Sequence, residues 1–152
     1  MTAEPLRAGP EPFLAAHPDD IESLWPLVEP GIARACRKSF HMTLPRAVKG
    51  RLLTAEYQLL VLYAGGNYAG CAVVRFDESP AGLWLNLVMV YTVPEVSRDL
   101  DVLVACQEEV MQWARERGAT AAHFYSGRVG FLRGRAKDLG WTPRFIEYTR
   151  RL

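Results

Sequence analysis

The chain has 152 residues, 49% hydrophobic and 23% charged, the values of an ordinary globular protein of about one domain. A domain of this size buries roughly 68–70% of its unfolded surface, so it needs no disulfides to hold a core. Its formal net charge is +1, so an electrostatic partner would have to read a local asymmetry rather than the total.

The first residues, MTAEPLRAGPEPF, contain no apolar h-region, and no apolar run approaches the roughly 20 residues that span a bilayer. A cytoplasmic protein without a membrane partner is expected. Cys36, Cys71 and Cys106 are odd in number, form no C-x-x-C pair and sit among apolar neighbours, which reads as reduced core thiols. His17, His41 and His123 have no second ligand at metal-binding spacing, so structural or surface roles and no metal site are expected.

Residues 1–18 hold Pro5, Pro10, Pro12 and Pro18 and read as an extended arm rather than an element, leaving 19–152 as a single domain. Asp19 or Asp20 is placed to cap a first helix reaching Phe40, with Ile21, Leu24, Trp25, Leu27, Val28, Ile32, Ala35 and Cys36 on its apolar side. Pro26 and Pro30 within it predict a kinked or two-piece helix. A second helix runs from Leu44 to about Thr54, with Pro45 in its first turn.

Strands follow at Tyr57–Tyr63 and Tyr68–Phe76, joined by Ala64-Gly65-Gly66-Asn67, a turn whose residues tolerate positive φ. Ser79-Pro80-Ala81-Gly82 then leads into Leu83–Tyr91. In that segment only Asn86 is polar, the pattern of a central strand covered on both faces. Pro94 stops the ladder and Ser97 is placed to cap a long helix, whose Val102, Cys106, Val110 and Trp113 share one side. Gly118 suits its C-terminus. Ala121–Tyr125 reads as a strand parallel to its predecessor across the helical crossover. Gly127 to Leu139 reads as a loop entering a basic helix ended by Gly140, and Phe145–Thr149 as a last strand.

Charge is uneven along this order. Residues 1–30 carry Glu4, Glu11, Asp19, Asp20, Glu22 and Glu29 against Arg7. From 128 onward Arg128, Arg133, Arg135, Lys137, Arg144, Arg150 and Arg151 outweigh Asp138 and Glu147. Such a basic end could attract phosphate, nucleic acid or an acidic protein surface, but a solvated face is the favoured reading and no nucleic-acid partner is expected.

The element order, with Gln112-Trp113-Ala114-Arg115-Glu116-Arg117-Gly118-Ala119, Gly127-Arg128-Val129-Gly130-Phe131 and Leu139-Gly140-Trp141, resembles the GNAT acyltransferases over roughly residues 20 to 152. Trp25-Pro26, Gln58-Leu59 and Gly127-Arg128-x-Gly130-Phe131 are similar more narrowly to small GNAT-like proteins of tailed bacteriophages and prophages. The resemblance implies an α+β fold with a mostly antiparallel mixed sheet of about six strands and helices on both faces. It also implies acetyl-CoA as acyl donor, its pantetheine arm lying between two splayed parallel strands, and a small amine or protein acceptor. The phage likeness implies instead a non-catalytic structural or assembly role, with other protein subunits, including phage structural proteins, as partners.

Carried onto this chain, the acetyl-CoA site falls at Tyr91, Val93, Ser97 and Arg98 and at Gly127, Arg128 and Gly130. The family's glycine-rich loop, (Gln/Arg)-x-x-Gly-x-(Gly/Ala), lets backbone amides approach a pyrophosphate. Here the loop reads Thr92-Val93-Pro94-Glu95-Val96-Ser97-Arg98-Asp99: it has no glycine, Pro94 has no amide, and Glu95 and Asp99 add negative charge.

Amine acylation also needs a base and an acid. Glu56 and Glu95 near strand ends are the carboxylate candidates, each otherwise a cap or solvated residue. Tyr125 and Tyr148 are the phenol candidates for the acid, each otherwise a core tyrosine with a wet hydroxyl. Asn86 either polarises a ligand or bridges to a neighbouring element, since a buried amide requires partners.

Overall fold

The computed structural model describes residues 13–38, 43–124 and 136–142. Five strands form one sheet in the order β1-β2-β3-β4-β5: β1 (Phe13–Ala15), β2 (Gln58–Ala64), β3 (Asn67–Ser79), β4 (Gly82–Thr92) and β5 (Ala119–His123). The first three junctions are antiparallel, and β4 with β5 is parallel. The expected sixth strand, Phe145–Thr149, lies outside the described residues. Helices α1 (Ile21–Arg37) and α2 (Pro45–Leu53) cover one face; α4 (Leu100–Glu116), preceded by the one-turn α3 (Pro94–Ser97), covers the other; α5 is a short turn at Ala136–Asp138.

The alternation of side chains along β2 and β3 divides the core in two. Leu59, Val61, Cys71 and Val73 meet Ile21, Trp25, Val28, Ile32, Val48 and Leu52 of α1 and α2. Leu60, Leu62, Ala72 and Val74 meet Val110, Trp113 and Ala114 of α4. All three cysteines are buried and free. Burial raises each thiol above its ordinary range, Cys71 to about 11, so none is a ready nucleophile.

Several expectations change. Residues 13–15 are not a bare arm: Phe13, Leu14 and Ala15 pair with Leu62, Val61 and Leu60, giving β2 a partner on its outer edge. Neither Asp19 nor Asp20 caps α1 through its side chain; a 3₁₀ turn at Pro18–Asp20 leads in, capped by the His17 imidazole accepting from Asp19 N–H at 3.1 Å. Helix α1 is one element despite Pro26 and Pro30. Glu22, Pro26 and Pro30 all lie on its exposed side, so the carbonyls that lose their helical donors face water. The strand covered on both faces is β3, buried from Ala69 to Val74, not β4, where only Leu85 and Asn86 are buried. β4 reads as apolar throughout for another reason: much of it lines a partly open edge.

The hairpin follows the expected chemistry. Gly65 and Gly66 take φ of 59° and 81° between the paired Ala64 and Asn67, as a two-residue turn requires. A second glycine is more tightly constrained. Gly70 adopts φ 151° opposite Thr92, and a Cβ there would overlap the Tyr91 carbonyl oxygen, a backbone atom held in the ladder. Gly70→Ala is therefore expected to cost more than about 2 kcal/mol, the scale of overpacking in a core. Urea unfolding reads this as a lower midpoint; an unchanged midpoint would show that the β3–β4 ladder yields there.

Candidate functional site

Strand β4 pairs with β3 from Gly82 to Thr92 but with β5 only from Leu83 to Asn86, whose partner is His123. Above that pair, Leu87–Thr92 have β3 on one side and no paired strand on the other among the described residues. Six residues of strand make an open edge about 20 Å long. At its foot the β3–β4 register shifts: Val73 faces Met89 and Val74 faces Leu87, so Val88 is an extra residue. Such a bulge bends and twists its strand, here immediately above the last residue shared with β5. Val90, opposite Ala72 on the α4 side, is 49% exposed, leaving an apolar wall on this edge.

The upper end of the edge is closed by side chains and amides that bond one another. Val93 N–H donates to Ala69 O at 2.9 Å. Val96 and Ser97 N–H both donate to Val93 O, and Arg98 N–H to Pro94 O. The Ser97 hydroxyl is 2.6 Å from that of Thr92 and also reaches the Thr92 and Val93 carbonyls. Ser97 therefore does not cap the long helix; it turns back because α3 intervenes. Asp99 is the cap, its Oδ1 accepting from Asp101 and Val102 N–H at 3.1 and 3.2 Å.

The expected acetyl-CoA residues are placed accordingly. The Tyr91 side chain packs on the α1 face, so close to Gly31 that a Cβ there would strike its ring. Val93 and Ser97 are half-buried, with their amides already donated. Arg98 and Glu95 are exposed on the short helix. Gly127, Arg128 and Gly130 lie outside the described residues, as do Tyr125 and Tyr148. Glu56 pairs with Arg51 at 2.6 Å at the end of α2.

The foot of the edge holds a polar cluster. Asn86 is 8% exposed and donates through Nδ2 to Asp77 Oδ2 at 3.2 Å, so of its two expected roles the structure shows the bridge between strands. Asp77 also meets Arg75 Nε at 2.8 Å and His123 Nε2 at 3.6 Å. Trp84 stands edge-on to the His123 ring at 5.4 Å between centroids. Strand alternation and the cross-strand registers put all five residues on the α1 and α2 face. Neither Asp77 nor His123 was indicated by the sequence. The one signal was Arg75-x-Asp77, two charges on the same face of an otherwise apolar strand. No group of three or more His, Cys, Asp or Glu suited to a metal occurs among the described residues. Nor is any described helix long and apolar enough to cross a membrane.

Across the cleft, α4 is tied to the chain beyond β5. Gln107 donates to Leu139 O and accepts from Trp141 Nε1, both at 2.8 Å, and Trp141 meets Phe124 edge-on at 4.7 Å. Leu139-Gly140-Trp141 thus braces the segment leaving β5 against α4.

No protein-family model and no curated protein matches the sequence. Solved structures do match the fold. A ribosomal-protein-alanine N-acetyltransferase from Brucella melitensis biovar Abortus 2308 superposes with a TM-score of 0.67 at 15% identity, over 92% of this chain and 99% of that one. An aminoglycoside acetyltransferase from an uncultured soil metagenomic sample, in complex with sisomicin, gives 0.68 at 10% identity over 92% and 95%. AAC(6')-Iy in complex with the bisubstrate analogue CoA-S-monomethyl-acetylneamine gives 0.62 at 15% over 92% and 97%. The fold is that of the GNAT acetyltransferases, an α+β architecture with a mixed sheet and helices on both faces.

The Asp99 cap gives a direct test of how the loop is built. Asp99→Ala should lower stability by about 1 kcal/mol, roughly 2–4 °C in melting temperature for a chain of this size. A melting temperature within error of the parent would mean that the two α4 amides find another acceptor.

Proposed function

We propose that this protein is an acyltransferase that moves an acyl group from a pantetheine thioester, acetyl-CoA being the reference donor, to an amine. The observation that carries the reading is the end of β4–β5 pairing at Asn86 and His123, beyond which, among the described residues, the Leu87–Thr92 edge has no strand partner beside a bulge. An extended arm bearing amides adds to such an edge as another strand would, through main-chain hydrogen bonds. Structural neighbours include N-acetyltransferases, one of them bound to a CoA bisubstrate analogue, which supports the same donor class.

The two ends of acetyl-CoA fit differently. The arm fits the open edge. The diphosphate does not fit the loop, where no glycine allows close approach and the Asp99 carboxylate already takes the Asp101 and Val102 amides. Asp99 also sets a negative charge where phosphate would bring more. The loop is a degenerate version of the family's cradle, and donor affinity rests on the arm, with the exposed Arg98 as the nearby cation.

Isothermal titration with acetyl-CoA should give about one site per chain with a weak dissociation constant, between roughly 10 μM and 1 mM, or about −7 to −4 kcal/mol. Asp99→Gly frees two amides and removes the repelling charge, so it should tighten binding by at least about fivefold, near 1 kcal/mol. Absence of heat up to millimolar donor would remove the acyltransferase reading and point to a fold kept for docking on other proteins.

A further inference from the structure

The cluster at the foot of the open edge is built for proton transfer, and none of its members belongs to the loop or to the open edge above it. Asp77 is fixed on two sides, by Arg75 within its own strand and by Asn86 across the β3–β4 ladder. Asn86 donates a hydrogen bond to the carboxylate, whereas Arg75 meets it as an ion pair without hydrogen-bond geometry, so the carboxylate has a partner on each side before any ligand arrives. Its Oδ2 faces His123 Nε2 at 3.6 Å, within ion-pair reach but longer than a hydrogen bond. The His123 side chain is 27% exposed and that of Asp77 33%, so the pair is neither sealed in the core nor fully solvated. Among the described residues, His123 is also the last of β5 paired with β4, its partner being Asn86. An arm lying along Leu87–Thr92 with its far end at α3 would bring its reactive end to this pair.

On the acyltransferase reading above, we propose that His123, standing beside the Asp77 carboxylate, is the base that takes the proton from the attacking amine. The acceptor arrives as an ammonium ion. His123 takes one proton, and the freed amine nitrogen attacks the thioester carbonyl. The C–N bond forms and the C–S bond breaks; the second proton leaves with the thiolate as free thiol, and the imidazolium returns its proton to solvent. Among the described residues, the charged groups facing the imidazole are Asp77 and, behind it, Arg75 of β3, while β4 contributes the neutral Asn86 and Trp84. Asp77, Asn86 and Arg75 are positioning residues.

The test uses bromoacetyl-CoA, which carries an electrophilic carbon at the acyl end of the donor and needs no known acceptor. An imidazole nitrogen at reacting distance displaces bromide and loses its proton, leaving a stable adduct that peptide mass spectrometry locates. The intact protein should be labelled at His123, with excess acetyl-CoA, which has no free thiol to consume the reagent, protecting it. Cys36, Cys71 and Cys106 compete poorly because burial raises their thiols. Asp77→Asn should slow labelling at least about tenfold while leaving the acetyl-CoA binding heat in place; equal rates would remove Asp77 from the proposal. Acetyl-CoA heat without a His123 adduct would overturn the base assignment and leave the acyltransferase reading standing. Absence of acetyl-CoA heat would overturn both. Labelling of the parent protein decides the assignment of His123 even if the Asp77 variant fails to fold.

Discussion

Unequal pairing of β4 is the constraint on which the rest of the molecule depends. A strand in a sheet normally satisfies its peptide groups on both sides, and an edge left open is either blunted or used. Here β3 holds β4 along its whole length, while β5 holds only its first part. The extra residue Val88 sits where the second partner is lost, so twist added by the bulge and loss of pairing occur together. On the far side, Gln107 fixes Leu139 and Trp141 to α4, and Trp141 meets Phe124 just past β5. The separation is thus supported from both strands.

What closes the top of the edge is a competition for amides. A diphosphate at a helix N-terminus is bound by free N–H groups, and each group already donated inside the chain is lost to it. In this loop Asp99 accepts from two amides at the start of α4, and α3 consumes those of Val96, Ser97 and Arg98. The same carboxylate that stabilises the helix opposes a polyanion. Stability of the loop and affinity for a diphosphate therefore pull in opposite directions, and this sequence favours the loop.

Much of the fold was legible because it is written in short-range chemistry. The Gly65-Gly66 turn, the alternation in β2 and β3, the apolar side of α4 and the parallel crossover to β5 each follow from residues close in sequence. The errors came from tertiary context. Nothing local reveals that Phe13–Ala15 pairs with β2, since three residues carry no period. Nor does it reveal that a one-turn helix separates Ser97 from the helix it was expected to cap. The apolar run of Leu83–Tyr91 suggested burial on both faces, whereas exposure of Val90 shows that an apolar strand can equally line a cleft. The polar cluster was hidden for a deeper reason. Arg75 and Asp77 belong to one strand, Asn86 to the next and His123 to a third, beyond a 17-residue helix. Only the registers Arg75–Asn86 and Asn86–His123, both set by long-range pairing, bring them onto one face.

Those registers also give the two faces of the sheet different work. Toward α4, the edge shows an apolar wall and ends in a loop whose amides are already donated within the chain. Toward α1 and α2 it shows a carboxylate bonded to an amide, with an imidazole beside them. A donor arm and an amine acceptor differ in the same sense: one is long, neutral along its amides and apolar at its acyl end, the other compact and cationic. The gap between β4 and β5 is where the two surfaces communicate, and its foot is the Asn86–His123 pair. On the proposed acyltransferase reading, weak affinity at the diphosphate end is compatible with acyl transfer, provided the arm is gripped along the edge and the proton is handled at the foot.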